Sequence, residues 1–195
     1  MSDDVRLQCV EALLEAGASP KEFIAVASDM IHVPLTYAVV RNYIAIVEAL
    51  LAAGADPRYA DDEGWTALHP AAAIGLVDCV RLLLAAGANV DAVSRIDESP
   101  GTPLDQAMMG NKRHVYPHLL RAGARLDLDL LDELDEFPSH SLGNPYLREV
   151  NAVGWKKYEQ AHRKRLTTTF AKAFPRLPVD AISHMVDFAF HVGFY

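Results

Sequence analysis

The side chains best suited to chemistry are few in this sequence and stand apart from one another. His114 and His118 have the i, i+4 spacing with which two imidazoles on one helical turn can chelate a metal ion. No third ligand is apparent beside them, and a zinc site takes at least three protein ligands. We therefore expect surface histidines here, with no metal and no cofactor.

The two cysteines, Cys9 and Cys79, lie 70 residues apart and do not form a disulfide framework. Each stands eight residues before a glycine that closes an apolar run, and Ile46 and Val115 fill the same place before two further glycines. Because the equivalent positions hold apolar residues, we expect both cysteine thiols to be buried in the core and not to act as nucleophiles.

Short motifs that assemble catalytic sites are missing from the sequence. It has no phosphate-binding glycine loop, no Cys-X-X-Cys pair and no Ser–His–Asp ordering. We therefore expect no catalytic residues and no enzyme. No apolar run approaches the ~18 residues of a membrane span, and the N-terminus is acidic, unlike a secretory signal. We expect an intracellular protein, cytoplasmic or nuclear, with no membrane partner.

Charge is unevenly distributed along the chain. Residues 1–136 carry a net charge of −12 and residues 137–195 a net charge of +4, which together give −8. The acidic part argues against nucleic-acid binding there, because phosphate recognition needs clustered Lys and Arg. The basic run 162–165, with Lys156 and Lys157, fits a nuclear-import signal, a nucleic-acid patch or a solvated helix face paired with the acidic helix 127–136. We favour the solvated face.

A repeated anchor organises the first two thirds of the sequence. Four apolar runs end in Gly-Ala, and their glycines are spaced by 37, 33 and 36 residues, which fits a period of 33 with short insertions. Apolar residues seven, four and three positions before each glycine form one helical stripe. Each glycine should close its helix in the left-handed conformation, and a first helix should end in the same way twelve residues earlier. The four anchors are Gly17, Gly54, Gly87 and Gly123, and the three earlier caps are Asn42, Gly75 and Asn111.

Residues 61–93 show one complete unit, in which Thr66-Ala67-Leu68-His69 opens the first helix. This closely resembles the ankyrin repeat, whose first helix begins Thr-Pro-Leu-His. The neighbouring units begin 33–38, Val-Pro-Leu-Thr-Tyr-Ala, and 102–107, Thr-Pro-Leu-Asp-Gln-Ala, so that Thr36 and Asp105 replace the histidine. The resemblance implies an all-α ankyrin-repeat solenoid over residues 1–128, with a half repeat at 5–19 and repeats at about 28–60, 61–93 and 94–128.

The ankyrin resemblance implies a protein-binding module or scaffold that holds a protein partner on its concave face and hairpin tips. Trp65 lies in the hairpin before the first helix, where the family displays variable side chains, and tryptophan is enriched in binding hot spots. The alternative is that Trp65 packs on the adjacent hairpin. The candidate contacts are Asp62, Glu63, Trp65, Ala73, Ile74 and Met109.

A helical region is expected over residues 129–195. The sequence predicts a short acidic helix from Leu126 to Phe137 with an apolar face, a loop over 138–145 and a long basic helix from Tyr146 to Lys172. Pro117 should shorten the last second helix of the array by a turn. A final helix starts near Pro178, and its predicted buried stripe consists of Val179, Ile182, Met185, Val186 and Ala189.

The stretch 177–188, which begins Leu-Pro, resembles the opening of an F-box over about a dozen residues. This resemblance implies a second possible function, a substrate adaptor that recruits cullin-type ubiquitin-ligase components through its tail. The candidate hook residues are Leu177, Pro178, Ile182, Met185 and Val186. If the stripe is only a cap, it should pack on the preceding helix, with Phe170 and Phe174 among its neighbours.

Overall fold

The computed structural model describes residues 3–19, 24–25, 31–32, 34–95, 101–135 and 144–191. The chain is an all-α solenoid, as predicted. Two short strands, β1 (Ile24–Ala25) and β2 (Ile31–His32), pair antiparallel before the first complete unit, with Ile24 opposite His32.

The helices of the array alternate between a first and a second helix of each unit. Helix α1 (Asp3–Glu15) is the second helix of the half repeat. The three complete units are α2 (Pro34–Val40) with α3 (Ile44–Ala52), α4 (Leu68–Ile74) with α5 (Val77–Ala85), and α6 (Pro103–Met109) with α7 (Tyr116–Arg121). They are followed by α8 (Leu128–Asp135), α9 (Asn144–Val153), α10 (Trp155–Ala173) and α11 (Val179–His191).

Left-handed residues close the helices of the array, which confirms the predicted caps. In this conformation the chain can turn back so that backbone N–H groups reach the last carbonyl groups of the helix. After α3, for example, the N–H of Ala55 donates to the carbonyl oxygen of Leu50 over 2.9 Å. The φ angles are +89°, +88°, +91° and +97° at Gly17, Gly54, Gly87 and Gly123, and +56°, +92° and +52° at Asn42, Gly75 and Asn111.

The third unit begins with a reciprocal cap, as the Thr-Pro opening predicts. The backbone N–H of Asp105 donates to the Thr102 hydroxyl, the backbone N–H of Thr102 donates to Asp105 Oδ2 over 2.7 Å, and Pro103 takes the first helical position. The second helix of this unit is short. A 3₁₀ turn over Arg113–Val115 replaces its first turn, in agreement with the expected effect of Pro117.

One continuous apolar core runs from Leu35 to Tyr158. Stacked units share it, because no helix pair of this kind can bury its apolar face alone. Leu131, Leu147 and Tyr158 are buried in the same core, so the boundary expected near residue 128 does not interrupt it. Helices α8, α9 and the start of α10 thus cover the open end of the last unit.

The predicted long helix from Tyr146 to Lys172 is wrong, because Gly154 divides it into α9 and α10. Gly154 has a φ of +82°, and its N–H closes α9 by donating to the carbonyl oxygen of Val150 over 2.7 Å. Both halves keep the apolar spacing of one helix, so the sequence pattern did not reveal the break. The acidic helix forms over Leu128–Asp135, while residues 136–143, including Phe137 and most of the expected loop, lie outside the described residues.

The last helix packs on α10 through part of its predicted stripe. Ile182, Val186 and Ala189 are buried, Met185 is half-buried, and Phe170 packs beside Val186. Two expectations for this region are wrong: Val179 is 77% exposed and Phe174 is 45% exposed. Both residues lie where the chain turns between the two helices, and neither helix extends far enough to cover them.

The cysteines differ in burial. Cys79 is fully buried, as expected, but Cys9 is exposed, so the prediction of two buried thiols is wrong for Cys9. In the complete units the equivalent residues, Ile46, Cys79 and Val115, are buried. Helix α1 has no first helix beside it among the described residues, and its corresponding side therefore faces solvent.

The basic run of α10 is a solvated helix face, and among the described side chains its arginines pair with α9 and α11 and not with the acidic helix. Arg163 contacts Asp187 of α11 over 2.5 Å, and Arg165 contacts Glu149 of α9 over 3.3 Å. The acidic helix contributes Asp132 to a different pair, with Arg148 of α9.

Candidate protein-binding surface

A tight turn presents the acidic tip of the hairpin before α4. Asp61 Oδ1 accepts hydrogen bonds from the backbone N–H groups of Glu63 (3.1 Å) and Trp65 (2.8 Å), and Ala60 pairs with Thr66 across the hairpin. These bonds use the Asp61 carboxylate internally, as short polar side chains do in turns. The side chains of Asp62 and Glu63 remain exposed at the tip.

The hairpin is held in place by the following one. The N–H of Arg95 donates to the carbonyl oxygen of Glu63 over 2.7 Å. Gly64 has a φ of +79°, and a Cβ atom there would lie 2.4 Å from the carbonyl oxygen of Val93. Glycine at position 64 thus permits both the turn and the close approach of the two hairpins.

Trp65 rests on the buried His69 ring of its own unit. The two rings stack with centroids 4.8 Å apart at 18°, and Trp65 keeps part of its surface accessible. The contact differs from packing on the adjacent hairpin, the alternative considered for this residue. It holds the indole in one orientation, and a rigid aromatic side chain loses little entropy on binding.

His69 is a structural residue with a fixed tautomer. The backbone N–H of Thr66 donates to Nδ1 over 3.0 Å, so the proton is on Nε2, which donates to the carbonyl oxygens of Ala92 (3.1 Å) and Gly101 (3.2 Å). Burial lowers the pKa of His69 below its usual value, although the two carbonyl oxygens that accept from Nε2 oppose that shift. The ring is thus neutral and ties two units together.

The ends of the first helices supply the apolar part of the surface. In α4 the residues from Leu68 to Ala72 are buried, but Ile74 is 45% exposed and Ala73 is half-buried. Helix α6 runs close beside it, since a Cβ atom at Gly110 would lie 2.6 Å from the carbonyl oxygen of Ala73. Met109, which precedes Gly110, is also half-buried. All six candidate contacts therefore remain at least partly accessible.

Sequence reasoning missed Val40, which is 44% exposed at the end of α2. Val40, Ala73 and Met109 occupy the same place in three successive units, and the repeat spacing could have identified Val40. Beside it, the Arg41 guanidinium lies 5.4 Å from the centre of the Tyr37 ring. The hairpin residue Val93 is 59% exposed and was also missed, because no motif distinguishes it.

The candidate hook residues of the tail do not share one environment. Leu177 is 41% exposed and Pro178 is exposed, whereas Ile182 and Val186 are 6% and 3% exposed. Val186 packs in a cluster with Leu166 of α10. Met185 is half-buried. A partner could reach the first pair directly but the buried residues only after α11 leaves α10.

The residues first considered for metal binding or nucleophilic chemistry, His114 and Cys79, have structural surroundings in the array. Among the described residues, no group of three or more His, Cys, Asp or Glu side chains could hold a metal ion. His114 Nε2 lies 2.9 Å from the carbonyl oxygen of Gly75, at the end of the preceding first helix. Burial raises the pKa of Cys79 to about 11, which makes its thiol a poor nucleophile. No helix in the described part of the chain is long and apolar enough to cross a membrane.

Comparison with known proteins identifies the repeats. The family model for ankyrin repeats matches residues 35–129 with three copies. The glycerophosphocholine phosphodiesterase gde1 of Schizosaccharomyces pombe is 36% identical over 111 residues, which is 56% of this chain and 9% of that protein. Protein PhlB of Serratia liquefaciens is 38% identical over 106 residues, which is 54% of this chain and 45% of that protein. The matched segment thus spans less than half of either relative.

A solved structure agrees with this assignment. An ankyrin repeat domain from Acinetobacter baumannii AYE aligns with 79% of this chain over 72% of its own, with a TM-score of 0.54 and 29% sequence identity. Six of the seven left-handed caps, all except Gly17, and the bridging His69 lie within the segment that the family model matches. Residues 35–129 of this chain are therefore three ankyrin repeats.

Proposed function

We propose that this chain is a non-catalytic binding module or scaffold, which holds a protein partner on the concave face and hairpin tips of its array. Ankyrin repeats generally mediate protein–protein interaction, and their fold is typically non-catalytic. The observation that carries the proposal is the exposure of Ile74 at the end of α4, next to five buried residues. An accessible aliphatic side chain on a rigid helix can anchor a partner without first moving.

The charges around Ile74 favour a partner segment with an apolar anchor and basic neighbours. Asp62 and Glu63 are exposed at the hairpin tip, and Trp65 lies between this tip and α4. Complementary charge increases the association rate and the specificity of such contacts. Ala73, Met109 and Val40 extend the apolar surface to the neighbouring units.

The absence of catalysis is part of the proposal. The relative named as a phosphodiesterase shares 9% of its length with this chain, in a match of 111 residues, so its activity does not carry over. In the array, His69 is enclosed by backbone carbonyls and Cys79 is buried. An intracellular setting, cytoplasmic or nuclear, fits the two unpaired cysteines.

Co-purification with the tagged full chain tests the binding surface. We expect Ile74→Asp to abolish recovery of the partner, because it places a charge where an apolar contact forms. Val153→Asp is the matched control, since Val153 is a β-branched residue of similar exposure, 43%, that lies outside the array. Trp65→Ala should weaken binding by about 2 kcal/mol, the usual effect of removing an anchoring tryptophan. Equal recovery by the parent, Ile74→Asp and Trp65→Ala would contradict the proposal.

The same experiment separates the scaffold from a ubiquitin-ligase adaptor. An adaptor would recover cullin-type components, and it would have to expose Ile182 and Val186, which are buried in the isolated chain. Recovery of these components by the parent, and their loss with Ile182→Asp combined with Met185→Asp while the array still melts normally, would favour the adaptor.

A further inference from the structure

The corner between α10 and α11 is exposed throughout. Each of the ten residues from 171 to 180 is exposed. Three of them are large and apolar: Phe174 is 45% exposed, Leu177 is 41% exposed and Val179 is 77% exposed. Scattered exposed apolar residues are ordinary, but three within six positions form a patch of the kind that marks an interaction site.

Uncompensated positive charge accompanies this apolar patch. Lys172 and Arg176 are exposed and form no ion pair with another described residue. The acidic residues Glu149, Glu159 and Asp187 of α9 to α11 are already paired with arginines. Asp180, the one other acidic residue of these helices, lies in the first turn of α11, where the helix dipole favours a negative charge.

Backbone hydrogen bonds and two prolines shape the corner. The N–H of Phe174 donates to the carbonyl oxygen of Phe170 over 2.8 Å, and the N–H of Leu177 donates to that of Phe174 over 3.1 Å. Pro175 and Pro178 restrict the backbone between the two helices. Below the corner, burial of Val186 against Leu166 holds α11 on α10.

We propose that this corner, residues 171–180, is a peripheral docking site for an anionic lipid bilayer. Phe174, Leu177 and Val179 enter the interfacial region of the bilayer, and Lys172 and Arg176 contact the anionic headgroups. The site is separate from the array surface and goes beyond the proposed function. It needs no membrane-spanning helix, and it departs from the expectation of no membrane partner, which rested on the lack of a long apolar run.

A bilayer fits this corner better than other anionic partners. A nucleic-acid backbone would use Lys172 and Arg176 but would leave three apolar side chains without a counterpart. A protein partner needs a groove whose outline is complementary to these exposed side chains, whereas a fluid interface adapts to them. The rest of the charge pattern orients the molecule, because residues 1–136 carry a net charge of −12 and are repelled by the same bilayer.

Sedimentation of the full chain with vesicles tests this proposal. We expect the protein to sediment with vesicles of phosphatidylcholine that contain about one third phosphatidylserine, and much less with phosphatidylcholine alone. High salt should release it, because the attraction is screened over about one Debye length. Equal partitioning into both vesicle types would overturn the proposal.

Charge variants at the two ends of α10 localise the contact. Lys172→Gln combined with Arg176→Gln should lower partitioning about 30-fold, since each cation near an anionic surface contributes about fivefold. Lys156→Gln combined with Lys157→Gln makes the same charge change at the other end of α10. That end lies about 24 Å away along the helix axis, and we expect a much smaller effect there. An equal or larger effect of the distal pair would overturn the proposal.

Apolar variants test insertion. Leu177→Ser combined with Val179→Ser should reduce partitioning, whereas Val153→Ser should not, although Val153 is also exposed. Phe174→Trp provides a second readout, which does not require the chain to fold with serine at positions 177 and 179. The emission that the new indole adds to that of Trp65 and Trp155 should shift to the blue on anionic vesicles. Partitioning that the corner variants leave unchanged, or an indole emission at this position that does not respond to vesicles, would contradict insertion and leave the corner to a protein partner.

Discussion

The array and the α10–α11 pair expose apolar residues for different reasons. In the array every complete second helix is covered by its own first helix and by neighbouring units, so Val47, Val80 and Leu83 are fully buried. Helix α11 has one neighbour, α10, and the cluster they share contains only Leu166, Val186, Ala189 and Phe170 among the described residues. Stability in the array is therefore collective, whereas the tail depends on a single helix–helix contact.

This difference separates exposure with a structural explanation from exposure without one. Cys9 and Leu13 are exposed because α1 stands at the edge of the stack, where their counterparts in later units are covered. Ile74 is exposed although α4 is covered by neighbours on both sides. An exposed apolar residue inside a well-packed array therefore gives a stronger indication of a binding surface than one at its edge.

The largest effect should come from a cavity in the array core. Leu83→Ala should destabilise the array by about 2–5 kcal/mol, because it removes a fully buried side chain from a site that neighbours cannot refill. Leu166→Ala is the matched change in the tail cluster. We expect it to leave the main transition of a chemical denaturation curve nearly unchanged. Similar losses for both variants would show that the two regions unfold as one unit.

A smaller effect should follow from Gly87→Val at the cap of α5. Gly87 has a φ of +91°, where a β-branched side chain is strained by about 1–3 kcal/mol. Gly87→Asn is the control and should cost less, because Asn42 and Asn111 already hold φ angles of +56° and +52° in equivalent caps. Equal melting temperatures of the parent and Gly87→Val would refute the role of this residue as a cap.

Acid should weaken the array through His69. Burial lowers its pKa in the folded chain, whereas in the unfolded chain the pKa has its usual value of about 6.5. At a pH below 6.5 the unfolded chain therefore binds the proton more readily than the folded chain. The contribution of His69 is therefore fully present above that pH and is lost as the pH falls below it. Denaturation midpoints at a series of pH values should show this loss in the parent and a flatter profile in His69→Gln. Parallel profiles would contradict it.

The smallest perturbation is chemical labelling of the two thiols. Cys9 is exposed and Cys79 is buried with its pKa raised to about 11, so one thiol should react rapidly in the folded protein and the second only after denaturation. Rapid reaction of both thiols without denaturant would mean that the core around Cys79 opens readily.

The sequence predicted the array well because its information is local and repeated. The cap glycines and the shortened α7 follow from residues a few positions apart, and both were confirmed. Gly154 was missed because a glycine inside an apolar helical pattern costs only about 1 kcal/mol and does not by itself break a helix. Cys9 and Val179 were predicted to be buried but are exposed. Their burial depends on whether a neighbouring helix covers them, and the local sequence does not contain that information. For the candidate contacts, sequence alone could indicate position but not exposure.

Native-state hydrogen exchange on the isolated full chain tests the central comparison most directly, because it reports the opening free energy of each segment. We predict that the amides of α3 to α7 and of α9 exchange with similar, high protection, since Leu147 and Val150 of α9 belong to the array core. The amides of α11 should exchange much faster. Protection of α11 equal to that of α5, or loss of protection in α9 together with α11, would contradict this account.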